Sequence, residues 1–350
     1  MAEVGGGQPW EQLKLSWETR KDIDTHTDKG EPCQMVRGAA VAHDRLGLAY
    51  FNSSNTDEVL EYDLENNDWS KLPKYSLKGF GLAVIQDLLT TVGGWSEKQT
   101  SNRLSSFRGG KWVKVFPPMT TKRRGLTVIS IPNYLIVAGG VGEEGGVLST
   151  VEVMDIRTQK WYTAASLPEP VYDMTATVCG GRLYLLGGRD NKWAPTYAVF
   201  TCTLDSLIRL CHPPSKTPPH TSEASVWQRV ANVPVVESTC TTLNGRMLTV
   251  GGRTSRGGKF ADAIHVYNPN SHDRPWQTME NMPTARSWCL VVGLRNCIIA
   301  VGGVKSYTTV EVGHLPLSGG CCTGCICNTC TKGFYKVCEI CTLYVKLQTA

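Results

Sequence analysis

Tyr134-Leu135-Ile136-Val137-Ala138-Gly139-Gly140 is an apolar run that stops at a glycine pair, and the chain repeats the phrase. Leu88-Leu89-Thr90-Thr91-Val92 runs into Gly93-Gly94, and Leu183-Tyr184-Leu185-Leu186 into Gly187-Gly188. Met247-Leu248-Thr249-Val250 runs into Gly251-Gly252, and Cys297-Ile298-Ile299-Ala300-Val301 into Gly302-Gly303. The first glycines lie 46, 48, 64 and 51 residues apart, with a degenerate copy at Leu46 to Ser53 before them. Such a period points to a propeller or a solenoid.

A second phrase keeps step with the first. Each period holds a tryptophan followed by a proline: Trp69 and Pro73, Trp112 and Pro117, Trp161 and Pro168, Trp227 and Pro234, Trp276 and Pro283. A polar residue (Arg37, Arg124, Asp173, Glu237 or Arg286) then opens the next apolar run. Each unit therefore reads as four short strands. The second ends in glycines, the third ends near Tyr62-Asp63, Met154-Asp155 or Tyr267, and the fourth carries Trp. Glycine at a strand end suits close backbone approach, and Trp suits a wide gap between sheets. The plain reading of both is architectural.

Glycine pairs and tryptophans in phase at this period resemble the kelch repeat of β-propeller proteins, over nearly all of residues 8 to 316. The unit count predicts an all-β, six-bladed propeller. The last unit lacks its own Trp strand, and Pro9-Trp10-Glu11-Gln12-Leu13 resembles Pro275-Trp276-Gln277-Thr278-Met279. Residues 9 to 15 are therefore expected to close the last blade as its outer strand, which removes exposed edges. Residues 1 to 8 read as an extension and 16 to 33 as a polar loop. Residues 205 to 225, with Pro213-Pro214 and Pro218-Pro219, read as an irregular insertion in the fourth blade.

Composition narrows the function. The net charge of +5 lacks the dense basic stripe of a nucleic-acid protein. No run nears the roughly 18 apolar residues of a membrane span, and Met1 to Gln8 has no apolar signal region. The expectation is a cytoplasmic protein with no nucleic-acid or membrane partner. Gly140-Val141-Gly142-Glu143-Glu144-Gly145 matches a dinucleotide fingerprint, but a strand follows it where the fingerprint needs a helix. The seven histidines are scattered without metal-like spacing.

The tail, residues 317 to 350, holds half of the fourteen cysteines. Cys327, Cys330, Cys338 and Cys341 form two CxxC pairs, closer together than the 15 to 20 residues usual in zinc ribbons. A small zinc site, lipidated or redox-active thiols, and an extension without chemistry all remain open. The expectation is no metal and no cofactor. Cys179, Cys240, Cys289 and Cys297 sit in apolar strands and read as buried thiols.

Hairpin alternation puts the loops after the glycine pairs and the loops after the Trp-Pro phrases on one face. Arg37, Lys78, Trp95, Lys98, Arg123, Arg124, Arg189, Lys192, Arg253, Arg256, Arg286 and Lys305 fall there, with fewer acids, among them Asp57, Glu143, Asp173 and Glu237. Arg37, Trp95, Arg124, Arg189, Arg253 and Arg286 form the expected partner-binding face. Guanidinium binds carboxylate and phosphate bidentately, so an acidic or phosphorylated peptide is the expected partner. Arginines that merely cap strands and pair with neighbouring acids are the plainer alternative.

The resemblance implies protein binding through this face, as in ubiquitin ligase adaptors or actin-binding proteins. As read, the chain has no room for a BTB or F-box domain, so a ligase role would need a partner. The resemblance also covers enzymes, including sialic-acid epimerases, for which Arg189 or Arg253 with Glu237 could be drawn as the acid/base pair. A non-enzymatic binding module is the preferred reading, and a small-molecule substrate is not expected.

Overall fold

A computed structural model describes residues 15–20, 40–43, 47–52, 58–97, 99–211, 226–271, 273–294, 296–304 and 309–315. The cysteine pairs of the tail lie outside the described residues. Among the described residues, twenty-four strands form six four-stranded antiparallel sheets. The first strand in sequence, β1 (Ser16–Arg20), belongs to the last sheet. Blade 1 is β2 (Ala40–His43), β3 (Leu48–Asn52), β4 (Val59–Asp63) and β5 (Asp68–Lys71). Blade 2 is β6 (Gly81–Ile85), β7 (Leu88–Val92), β8 (Leu104–Arg108) and β9 (Lys111–Val113). Blade 3 is β10 (Thr127–Ile131), β11 (Tyr134–Ala138), β12 (Val151–Asp155) and β13 (Lys160–Ala164). Blade 4 is β14 (Thr175–Cys179), β15 (Arg182–Leu186), β16 (Ala198–Thr203) and β17 (Gln228–Asn232). Blade 5 is β18 (Thr239–Leu243), β19 (Arg246–Arg253), β20 (Phe260–Tyr267) and β21 (Trp276–Asn281). Blade 6 is β22 (Leu290–Leu294), β23 (Cys297–Val301) and β24 (Val310–His314), completed by β1.

The first strands of the blades touch their neighbours in a closed circuit, β2, β6, β10, β14, β18, β22 and back to β2. They line the axis of a six-bladed β-propeller. Two-residue turns join first to second strands where the sequence allows φ > 0: Asn244 and Gly245 stand at 47° and 70°. The core lies between blades. Ile136 and Val153 of blade 3 pack with Leu183, Leu185 and Phe200 of blade 4, and burial of each such side chain contributes about 1.5–3 kcal/mol.

The glycine pairs have two reasons to be glycine. Gly139 and Gly140 have φ of 61° and 99°, and a Cβ on Gly139 would lie 2.2 Å from the carbonyl oxygen of Val171. That carbonyl belongs to the segment entering the next blade and accepts the N–H of Gly140 at 3.0 Å. The pair thus lets one blade bond to the next through backbone alone.

The phased tryptophans also tie blade to blade. The indole N–H groups of Trp112, Trp161, Trp227 and Trp276 donate to the carbonyls of Pro73, Pro117, Ala165 and Asn232 at 2.6, 3.0, 2.8 and 2.8 Å. Each carbonyl lies where the preceding blade ends.

Two expectations need correction. The strand that closes blade 6 is Ser16–Arg20, not residues 9 to 15, and its tryptophan is Trp17, not Trp10. Residues 9 to 14 lie outside the described residues, and residues 16 to 20 are strand rather than loop. Trp17 stands opposite Gly313, as Trp69 stands opposite Tyr62 and Trp161 opposite Met154. The register is set by that gap, since a Cβ on Gly313 would press at 3.0 Å on the Trp17 ring. The insertion in blade 4 opens with a helix, α1 (Leu204–Cys211). The backbone N–H of Ser206 donates to Thr203 Oγ1 at 3.1 Å, an N-cap bond, and Leu207 is fully buried. Residues 212 to 225 lie outside the described residues.

Candidate partner-binding face

Beyond each glycine pair the first two strands of a blade pair once more. Lys78 bridges Trp95, Arg124 bridges Val141, Tyr172 bridges Arg189, Val236 bridges Arg253 and Ser287 bridges Val304. The bonds are main-chain, for example Arg253 N–H to Val236 O at 2.7 Å and Val236 N–H to Arg253 O at 2.9 Å. Side chains of this face therefore stand on fixed backbone rather than on free loops.

At the axis the backbone turns left-handed in five successive blades. Gly79, Gly125, Asp173, Glu237 and Trp288 have φ of 58°, 57°, 53°, 59° and 57°. Neighbours bond around the ring: Asp173 N–H to Gly125 O at 2.9 Å, Trp288 N–H to Glu237 O at 3.1 Å. Glycine is at ease there, whereas Glu and Trp carry a cost of about 1–2 kcal/mol each. Such strain is held where surrounding bonds over-determine it, and it clusters at functional sites. Gly79, Gly125, Asp173 and Trp288 line a cavity of about 150 Å³ at the mouth of the channel, with Cys240 and Cys289 at its wall, and Glu237 adjoins it through Ser238.

Glu237 is the hub of this mouth. Its Oε1 accepts from Arg189 Nη2 at 2.9 Å, and its Oε2 lies 3.2 Å from Arg253 Nε. The carboxylate side chain is only 9% exposed. Arg189 stacks over Trp288 at 5.1 Å, Arg253 over Phe260 at 4.1 Å, and Arg124 over Trp95 at 5.3 Å. Cation–π contacts of this kind orient a guanidinium without neutralising it.

The expected residues divide accordingly. The structure brings Trp95 and Arg124 into one contact, and Arg189 and Arg253 into another around Glu237. The one carboxylate between the two arginines offsets part of their mutual repulsion and leaves the trio with a net positive charge. With both oxygens engaged by guanidinium, Glu237 has the setting of a counter-ion. Arg37, Lys98 and Lys305 lie outside the described residues.

Arg286 is a correction. It is fully buried, its Nη2 is 2.8 Å from Glu311 Oε2, and its Nη1 donates to Gly302 O and Thr309 O at 3.1 Å each. Arg123 repeats this with Glu152, Gly139 O and Thr150 O. Neither guanidinium is available at the face. Burial pulls the Arg123 guanidinium below its ordinary value, and Glu152 pushes it back up. These arginines brace the segments that enter blades 3 and 6.

Sequence reasoning missed Trp193, which is 59% exposed, and Trp288. A signal was present: Trp95, Trp193 and Trp288 are out of phase with the outer-strand tryptophans. A tryptophan not needed between blades is free to serve the face.

A family model described as the KLHDC2/KLHL20/DRC7 Kelch-repeats domain matches residues 79–303, well over half of the chain. The chain belongs to the kelch-repeat family. Among relatives of this kelch propeller, Kelch-like protein 36 of Mus musculus is 23% identical over 320 residues, 78% of this chain and 50% of that protein. Kelch-like protein terF of Aspergillus terreus is 25% identical over 182 residues, covering 48% and 38%. The chain spans about half the length of the first of these and less of the second. The solved structure of YjhT superposes with a TM-score of 0.62 at 16% identity, over 83% of this chain and 97% of that one, a likeness of fold. Among the described residues no helix is long and apolar enough to cross a membrane.

Proposed function

We propose that this kelch propeller is a non-enzymatic binding module that takes an acidic or phosphorylated segment of a partner protein on the face around the channel mouth. One observation carries the reading: three arginines stacked on aromatic rings stand on backbone bridges, two of them around one carboxylate on strained backbone. Such a surface is ordered before the partner arrives, so little freedom is lost on binding. A kelch propeller of this kind would serve as the substrate-recognition part of a cytoplasmic ubiquitin ligase or scaffold, with no cofactor of its own. Glu237, held between two guanidiniums, supports a binding surface over an epimerase's acid/base pair.

The test is selection of random peptides on phage against the wild type and against Arg124→Glu/Arg253→Glu. The wild type should enrich Asp and Glu, and the charge-reversed variant should not. Affinity for an enriched peptide should fall as salt rises from about 10 mM to about 150 mM, because the screening length contracts from about 30 to about 8 Å. Enrichment without acidic residues would overturn the reading.

A further inference from the structure

The arginines around Glu237 are not equivalent. Arg189 spends its guanidinium internally: Nη1 donates to Trp193 O at 2.9 Å, Nη2 to Glu237, and Nε is buried. Its side chain is 14% exposed. Arg253 engages its neighbours through Nε alone, toward Glu237 Oε2 and Ser287 Oγ at 3.4 Å. Among the described residues its Nη1 and Nη2 have no hydrogen-bond partner, and neither is buried. Those two parallel donors match the geometry of a carboxylate or phosphate.

Trp193 completes the same cluster, one bond away through Arg189. It is the most exposed large apolar side chain among the described residues. Its backbone is left-handed at φ 63°, an outlier for so bulky a residue. Several bonds hold it there. Trp193 N–H donates to Asp190 O at 3.1 Å, and Asp190 Oδ1 accepts from Lys192 N–H and Ala194 N–H at 2.8 and 2.9 Å. The ring meets Tyr172 edge-on at 5.3 Å. An aromatic ring fixed in water, beside free guanidinium donors, has the make-up of an interaction hot spot, where Trp and Arg predominate.

We infer that Arg253 and Trp193 form one docking point for a short extended segment of a partner protein, with a carboxylate or phosphate on Nη1 and Nη2 of Arg253 and a large apolar side chain against Trp193. This rests on the protein-binding reading above and narrows it. Arg189 and Glu237 are positioning residues: Arg189 fixes the Trp193 loop, and Glu237 turns the Arg253 fork outward. Arg124, on Trp95, is a separate cationic contact.

The experiment selects random dodecapeptides on phage against wild type, Arg253→Ala, Arg253→Lys, Arg189→Met and Trp193→Ala, each first shown by thermal melting to be folded. The wild type should enrich Asp or Glu within a few residues of Leu, Met, Phe or Trp. Arg253→Ala should lose the acidic preference and keep the apolar one, Trp193→Ala should do the reverse, and Arg189→Met should keep the acidic preference. By fluorescence anisotropy an enriched peptide should bind Arg253→Ala roughly tenfold to a hundredfold more weakly than wild type, with Arg253→Lys between them. The same peptide with phosphoserine in place of its acidic residue separates the two ligand sources. Tighter binding assigns phosphate, and equal or weaker binding assigns carboxylate. An acidic preference that survives Arg253→Ala overturns this inference and leaves the broader reading standing. No acidic preference in the wild type overturns both.

Discussion

Arg123 Nη2 lies 2.5 Å from Glu152 Oε1 where both side chains are almost wholly buried, and Arg286 with Glu311 repeats the pair three blades away. Blade 4 fills the corresponding positions with Val171 and Phe200, both in one apolar cluster. The fold thus has two solutions for the same cavity, one ionic and one apolar.

Removing one partner leaves a buried charge without its counter-charge. Glu152→Ala should destabilise the propeller by about 3–5 kcal/mol, read from denaturant unfolding. Arg123→Val with Glu152→Phe, copied from blade 4, should recover most of that loss. A double variant as unstable as the single one would show that the ion pair contributes more than the removal of an unpaired charge.

The tryptophans between blades should respond unequally to loss of their N–H. Trp161 donates to Pro117 O, whereas Trp17 Nε1 is buried and has no partner among the described residues. Trp161→Phe should therefore cost about 1 kcal/mol more than Trp17→Phe, because it strands a carbonyl. Removal of residues through Arg20, which strips the fourth strand from blade 6, should abolish the cooperative melt.

Burial pushes the thiols of Cys202 and Cys240 up to about 12 and that of Cys289 to about 11, from an ordinary 9.0. Below about pH 9 these groups are neutral in both states, and their contribution to stability is constant. Above it the unfolded chain loses the protons first, so folded stability falls as pH rises, by about 1.4 kcal/mol per pH unit for each thiol. Unfolding measured at successive alkaline pH values should show a smaller slope for Cys202→Ala than for wild type. Iodoacetamide near neutral pH should leave all three unmodified until the protein unfolds, as read by peptide mass spectrometry.

At Glu237 the backbone is left-handed, where Gly is at ease and Ala is not. Glu237→Gly should be more stable than Glu237→Ala by about 1 kcal/mol, reversing the usual order for these residues. Thermal melts of the two variants decide it. Equal stability would mean that the strain is released elsewhere.

The sequence disclosed the propeller because its marks are periodic. Glycine pairs report the close approach seen at Gly139, and phased tryptophans report the gaps filled at Trp161. It was misleading where a local likeness competed with a packing demand. Pro9-Trp10-Glu11 looks like Pro275-Trp276-Gln277, yet the space opposite Gly313 takes Trp17. The helix was legible in hindsight, with Leu204, Leu207, Ile208 and Cys211 at helical spacing behind Thr203. The prolines farther on obscured it. Arg286 was misplaced because a charge is expected in water, though Thr150-Val151-Glu152-Val153 and Thr309-Val310-Glu311-Val312 repeat its buried partner. The face was legible as a set of arginines. Which of them point outward was not, because that depends on Glu237, which holds Arg253 of its own blade and Arg189 of the blade before.

The bridges beneath the face are made by main-chain atoms, so they do not depend on which side chains they carry. Trp95, Val141, Arg189, Arg253 and Val304 occupy one such position in five blades, and no two adjacent blades but the fourth and fifth carry the same residue there. The propeller works as a keyboard whose keys can be exchanged one at a time while the frame stays in tune. New specificities can therefore arise, or be engineered, by point substitution at these addresses without renegotiating the fold.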